Sequence, residues 1–327
     1  MLPRALLTDT VFDSVDVERQ ILHSVAEIER LDGGAIEDVE VQGRDCEAIL
    51  NTYLGPITAD LIAQLPKCKI IARYGIGVDT IDVDAATQAG IIVTNNPTYC
   101  VDEVADHAMA LVLAAARKVV FYDRAVRAGE WAPIAGKPIK RLRGVTIGLV
   151  GYGNIARQVA ARAAGFGMDI LFSDPFVSAD TPNVIGRKVE LDELLVASDI
   201  ISLHPPLNAA TRGMFNQAVF EAMKRSAILV NVSRGGLVDM DALVAALDKG
   251  LIAGCALDTF ETEPLQDDHP LRGRENVILT PHAAWYSEDA LELLHRGAPS
   301  EVRRVLTGEW PIHVVNPAVR GRTRAGL

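Results

Sequence analysis

Arg143-Gly144-Val145-Thr146-Ile147-Gly148-Leu149-Val150-Gly151-Tyr152-Gly153-Asn154-Ile155-Ala156 is the stretch on which the reading of this chain turns. Val145 to Val150 is apolar and partly β-branched, the signature of a short buried strand. Gly151, Gly153 and Ala156 follow in G-x-G-x-x-A spacing, and Ile155 to Ala164 continues as an alanine-rich helix. Each small residue answers a separate demand. Gly151 permits the tight strand-to-helix turn, Gly153 lets backbone approach a pyrophosphate, and Ala156 lets helix and strand pack closely. The helix start at Asn154 and Ile155 offers N–H groups to an anion. Alone, the spacing also fits an ordinary glycine turn. A second strand strengthens it: Asp169 to Ser173 ends at Asp174, 18 residues beyond Ala156. A carboxylate there can accept both hydrogen bonds of an adenosine ribose. The segment predicts a dinucleotide fold.

Composition bounds the rest. At 327 residues the chain is too long for one ordinary core, which favours two domains. Hydrophobic residues at 49% and charged ones at 23% suit a globular, ordered protein. A net charge of −11 without any basic run argues against nucleic acid or an anionic membrane as a partner. Cys46, Cys68, Cys100 and Cys255 are scattered without C-x-x-C spacing, so no metal is expected and a reducing compartment is. Asp9 interrupts Ala5-Leu6-Leu7 before a signal-peptide core can form, and the apolar run Ala108 to Ala116 is too short for a bilayer. The expected location is cytoplasmic.

Before the nucleotide segment, residues 4–9, Ala48 to Leu50, Ile70 to Arg73 and Ile91 to Val93 read as strands. Helices are expected at Asp16 to Val25, Ala59 to Leu65 and Val83 to Ala89, and the alternation implies a parallel α/β sheet. The loop Tyr74-Gly75-Ile76-Gly77 comes directly after a strand. It either exposes N–H groups toward a carboxylate or phosphate or forms a plain turn, and spacing leaves both open. Asn95-Asn96-Pro97 marks a crossover. Val101 to Val120 is expected as one long helix, with Asp102, Glu103 and Asp106 at its start and Arg117 and Lys118 near its end. Its apolarity predicts burial between domains or subunits. Gly129 to Lys140 is a loop.

Beyond Asp174, strands are expected at Ile200 to Leu203, Ala227 to Asn231, Ile252 to Leu257 and Val277 to Leu279. A doubly wound sheet binds ligands outside its carboxyl edge. The residues there are His204 and Pro205; Asn231, Val232, Ser233 and Arg234; Asp258 and Glu263; and His282. Taken singly, Arg234 reads as a surface ion pair, Glu263 as a turn acid and His282 as a satisfied histidine. Together they supply what hydride reduction of a 2-keto acid requires: a cation for the carboxylate and carbonyl, a proton donor, and a carboxylate that favours the donor's charged form. Trp285 is either the wall of a partly apolar substrate pocket or packing at a domain hinge. Tyr74 is a candidate second wall.

The sequence resembles the D-isomer-specific 2-hydroxyacid dehydrogenases over nearly its whole length. The resemblance is carried by Arg73 to Asp82, Gly151 to Ala156, Asn231 to Asp239, Leu257 to Pro264 and Thr280-Pro281-His282. It implies an α/β protein of two Rossmann-like doubly wound parallel-sheet domains, the nucleotide domain inserted into the substrate domain. Residues 1–98 and 284–327 would form the substrate domain and 99–283 the NAD-binding domain, with a homodimer made largely through the latter. Catalysis would fall to Arg234, Glu263 and His282. The NAD contacts expected are Gly151, Gly153, Asn154, Ile155, Asp174, His204, Pro205, Asn231, Val232, Ser233, Asp258 and His282. Those to a 2-keto or 2-hydroxy acid are Tyr74, Gly75, Ile76, Gly77, Arg234 and Trp285. NAD is expected over NADP because Asp174 repels a 2′-phosphate and Pro175-Phe176 stand where that phosphate would want a cation. Phe172 to Phe176 and Pro281 to Glu288 are most similar to the C-terminal binding protein branch, alongside phosphoglycerate dehydrogenase-like members. The alternative function is therefore an NAD(H)-sensing binding module with little turnover.

Overall fold

Strands covered on both faces read as continuous apolar runs, and such runs build two parallel sheets here. The computed structural model describes residues 1–178 and 181–327. Two compact units result: Met1–Cys100 with Ser287–Leu327, and Val101–Tyr286.

In the first unit β1 (Arg4–Leu7), β2 (Glu27–Arg30), β3 (Ala48–Asn51), β4 (Ile70–Arg73) and β5 (Ile92–Thr94) pair in the order β2-β1-β3-β4-β5. All are parallel, in a flavodoxin-like order. The core gathers Leu6, Val39, Ile49, Ile62, Ile71 and Val93. The C-terminal segment returns through helix Glu288–Leu306, capped by the Ser287 hydroxyl accepting from Ala290 N and packed on β3 and β4. Buried Asn316 then pins the tail to β5: its Oδ1 accepts from Val93 N at 2.8 Å and its Nδ2 donates to Ile91 O at 2.9 Å.

The second unit carries seven parallel strands: β6 (Thr146–Val150), β7 (Asp169–Ser173), β8 (Arg187–Lys188), β9 (Ile200–Leu203), β10 (Ile228–Asn231), β11 (Gly254–Leu257) and β12 (Val277–Leu279). Their order is β8-β7-β6-β9-β10-β11-β12. The chain reverses direction of growth between β6 and β9, so the crevice of this sheet opens there, beyond the glycine turn.

The structure departs from the sequence reading in several places. The long helix is two, Val101–Ala116 and Val119–Arg127. Lys118 stands between them in left-handed conformation, φ 56°, with its N–H on the Ala115 carbonyl. That is a helix stop of the kind glycine usually makes, so the sequence carries no mark of it. The first helix buries Val104, Ala105, Ala108, Met109, Leu111 and Val112, packing on helix Asn154–Gly165 and on β10 to β12. This face is thus buried within its own unit. Arg162 secures the pair through Asp102 at 2.9 Å and Asp106 at 2.5 Å. The edge strands β2 and β8 and helix Ile36–Gln42 were not expected. Among the described residues no helix is long and apolar enough to cross a membrane, and no His/Cys/Asp/Glu group is arranged to hold a metal.

A lysine at φ 56° has the steric cost that glycine avoids. Lys118→Gly should therefore raise the unfolding free energy by ~1 kcal/mol in chemical denaturation. A destabilised variant would show that Lys118 contributes more through its side chain than its backbone costs.

Candidate active site

The glycine turn is built by close backbone approach. Gly151 has φ 79°, and a Cβ there would lie 2.8 Å from Pro205 N and 3.0 Å from His204 C. The loop after β9 thus rests on the turn. A Cβ at Gly153 would meet nothing within 4 Å, leaving open space before the start of helix Asn154–Gly165. Its first N–H groups, at Asn154 and Ile155, have no intrahelical acceptor. Asp174 at the end of β7 accepts from Tyr152 N and Phe176 N, both at 2.7 Å, so it holds the glycine turn from the end of that strand. Tyr152, a variable position in the motif, is buried. Its ring stacks on Phe172 at 3.9 Å and its hydroxyl donates to Ile185 O at 2.7 Å.

Buried Asn231 shapes the loop after β10 from within. Its Oδ1 accepts from Ser233 N at 3.0 Å, and its Nδ2 donates to Arg234 O at 2.9 Å. Ser233 Oγ reaches Pro205 O at 2.7 Å, joining this loop to the previous one, while Val232 is buried. Gly235 is next, and a Cβ there would fall 1.9 Å from the Phe260 carbonyl carbon. Only glycine lets the Arg234 loop touch the Glu263 loop.

Glu263 Oε1 accepts from Phe260 N at 2.9 Å, and Oε2 lies 2.7 Å from His282 Nδ1. Burial pushes this carboxyl up. The hydrogen bond and charge of His282, the Phe260 N–H and the charge of Arg234 outweigh it and hold the group below its ordinary 4.5. His282 is a non-glycine residue at φ 54°, and its N–H donates to Asp258 O at 2.8 Å. The fully buried Asp258 carboxylate accepts from Ala283 N and Ala284 N, each at 2.9 Å, and from Thr280 Oγ1 at 2.5 Å. The three residues expected to act together, Arg234, Glu263 and His282, stand on adjoining loops of one sheet edge.

In the other unit the Tyr74-Gly75-Ile76-Gly77 loop has all three later carbonyls engaged. Asn96 N donates to Gly75 O at 3.2 Å, Asn95 Nδ2 to Ile76 O at 2.7 Å, and Arg73 Nε to Gly77 O at 2.9 Å. The Tyr74 N–H is engaged as well, donating to Asn51 O at 2.9 Å. The Tyr74 side chain, expected as a pocket wall, is instead a core member: it is fully buried, with its hydroxyl on Glu18 Oε1 at 2.7 Å. Burial and the neighbouring Glu18 push its hydroxyl pKa well up. Trp285 is half-buried, edge-on to Tyr286 at 5.6 Å.

Sequence reasoning passed over His107, whose Nε2 lies 3.1 Å from Thr280 Oγ1. Its signal was its position: His107 falls on the same helical stripe as Val104, Ala108 and Leu111, where a titratable ring needs a reason.

The family described as D-isomer specific 2-hydroxyacid dehydrogenase, NAD binding domain, matches residues 109–284. A glyoxylate reductase of Korarchaeum cryptofilum is 43% identical over 281 residues, 84% of each chain. A D-3-phosphoglycerate dehydrogenase of Methanocaldococcus jannaschii is 38% identical over 96% of this chain, which spans only 59% of that longer protein. The crystal structure of a glyoxylate reductase from Paecilomyes thermophila superposes with a TM-score of 0.89 at 31% identity, covering 96% of this chain and 98% of that one.

His204 generates a prediction of its own. Burial pushes its imidazole down from 6.5 to about 4, so it is neutral at pH 7, with Nε2 2.9 Å from Ser202 Oγ. The unfolded chain takes up this proton first, so stability should be full above about 6.5 and fall as pH drops toward about 4. His204→Gln should flatten that decline when melting temperature is followed against pH. An unchanged slope would assign the acid sensitivity elsewhere.

Proposed function

Because the chain belongs to the D-isomer specific 2-hydroxyacid dehydrogenase family, we propose that it interconverts small 2-keto acids, glyoxylate among them, and D-2-hydroxy acids with NAD(H). The observation that carries this reading is the 2.7 Å contact between His282 Nδ1 and Glu263 Oε2 on loops adjoining that of Arg234. A pure scaffold has no use for that set, which weighs against the binding-module alternative.

The residues present fit a nicotinamide dinucleotide. Open space at Gly153, the N–H groups of Asn154 and Ile155, and the Asp174 carboxylate suit pyrophosphate and ribose in turn. The loops of His204-Pro205, Asn231-Val232-Ser233 and Asp258 line the same edge. Asp174 would repel a 2′-phosphate, so NAD is preferred over NADP. When bound, the dinucleotide supplies or accepts the hydride. Arg234 binds the keto acid through two parallel N–H bonds to its carboxylate and carbonyl oxygens. His282, its Nδ1 held by Glu263, donates a proton from Nε2 to the carbonyl oxygen in reduction and takes it back in oxidation. In the unit of Met1–Cys100 and Ser287–Leu327, the substrate domain of this reading, the N–H groups at Gly75, Ile76 and Gly77 suit a carboxylate oxygen.

A homodimer through the Val101–Tyr286 unit belongs to the same reading. Helix Val119–Arg127 buries none of its residues, and Trp131 and Ile134 beyond it are 85% and 68% exposed. A cavity of about 450 Å³ beside that helix is lined by Ala114, Phe121, Pro138, Ile200 and Ile278. Four free, buried cysteines suit the cytoplasm.

The test is oxidation of NADH and NADPH, followed by absorbance, with glyoxylate, hydroxypyruvate, pyruvate and longer apolar 2-keto acids. NADH should be the better reductant, and no turnover with any acid would sink the proposal. Arg234→Lys, which cannot make the paired bonds, should lower kcat/KM for the keto acid roughly tenfold to a hundredfold. Affinity for NADH should hardly change.

Proton flow gives a second test. Held below 4.5, Glu263 is ionised at neutral pH and sets its negative charge against His282 Nδ1. Reduction should persist at low pH and fall as His282 loses its proton. Glu263→Gln keeps a hydrogen bond without the charge, so that fall should move to lower pH, as should the rise of oxidation. Profiles of kcat/KM in both directions that do not move would remove Glu263 from this role.

A further inference from the structure

We propose that His107 is a positioning residue for His282, acting through Thr280 and Asp258. The proposal rests on His282 being the acid/base of the reading above.

His282 stands at φ 54°, a conformation that a histidine keeps only when its surroundings impose it. What imposes it is the turn from Thr280 to Ala284, wrapped around the Asp258 carboxylate. Oδ1 accepts from Thr280 Oγ1 and Ala283 N, Oδ2 accepts from Ala284 N, and the Asp258 carbonyl accepts from His282 N. This carboxylate is fully buried, and His107 Nε2 lies 3.5 Å from its Oδ1.

The direction of the bonds is settled by donor counting. An ionised carboxylate only accepts, and the Thr280 hydroxyl has a single proton, which the 2.5 Å contact commits to Asp258. Facing His107 Nε2 at 3.1 Å, the same oxygen can only accept, so Nε2 carries a proton. His107 thereby fixes the Thr280 rotor in the one orientation that serves Asp258. It does so from helix Val101–Ala116, which Arg162 ties to the helix of the glycine turn through Asp102 and Asp106. Without the donor, Thr280 is free to turn and the buried carboxylate loses the ring N–H beside it. The turn can then relax, carrying the His282 ring away from the orientation in which Glu263 holds it.

Four variants of the intact chain test this: His107→Phe, which keeps a ring without the donor; His107→Gln, which keeps a donor; Thr280→Val, an isostere without the hydroxyl; and the Phe/Val double variant. With glyoxylate and NADH, His107→Phe and Thr280→Val should each lower kcat about tenfold while KM for the keto acid stays within about twofold. His107→Gln should recover most of the loss. The double variant should be no worse than either single one, because one chain of bonds is cut once. Losses that multiply, a Gln variant no better than Phe, or an unchanged kcat would each overturn the proposal. A parent enzyme inactive on every keto acid would instead defeat the functional reading. The His282–Glu263 ring proton, followed by NMR, then decides on His107 alone. That resonance should shift equally in both single variants and no further in the double, and a resonance that stays in place would refute the positioning role.

Discussion

Gly235 against the Phe260–Glu261 backbone is the constraint on which the site depends. A Cβ 1.9 Å from a carbonyl carbon cannot be accommodated by rotating a side chain, so the two loops meet main chain to main chain. That meeting brings the cation of Arg234 close enough to help hold Glu263 ionised against its burial. Glu263 in turn fixes which nitrogen of His282 is engaged. A single absent side chain therefore coordinates three loops that extend from three different strands. Asn231 performs the complementary task from below, with donor and acceptor ends of one buried amide spent on the same turn.

Much of this was legible from the residues alone, for a physical reason. Parallel strands covered on both faces must be apolar throughout, so Ile147 to Val150, Ile200 to Leu203 and Ile228 to Val230 announce themselves. Strands at a sheet edge need not be. Glu27-Ile28-Glu29-Arg30 alternates charge with one inward residue, and Arg187-Lys188 has none to show. The helix break at Lys118 was illegible because a lysine occupies a position whose backbone would favour glycine. Arg234, Glu263 and His282 could be singled out because each follows a strand end, and the structure brings them onto adjoining loops. Tyr74 was misread by the same rule: a residue directly after a strand can point back into the core, and this one does, onto Glu18. His107 was overlooked because it lies on a helix, away from any strand end.

Unlike Arg234 and Glu263, His282 pairs its polar contacts with an unfavourable backbone conformation. The surrounding turn must overdetermine that conformation, and it does so with three bonds to one buried carboxylate. Rigidity at this point is thus a property of Asp258 and its neighbours more than of the histidine itself.

Asp174 carries a consequence for anyone wishing to redesign the coenzyme preference. The customary edit at such a position exchanges the acid for a small or basic residue so that an extra phosphate is tolerated. Here both carboxylate oxygens also clamp main-chain amides, at Tyr152 inside the phosphate turn and at Phe176 just beyond β7. The side chain proposed to select the coenzyme is therefore also one that shapes the turn. A swap would loosen the cradle shared by both coenzymes, and a successful redesign has to install a substitute acceptor for the Tyr152 amide before it alters the charge.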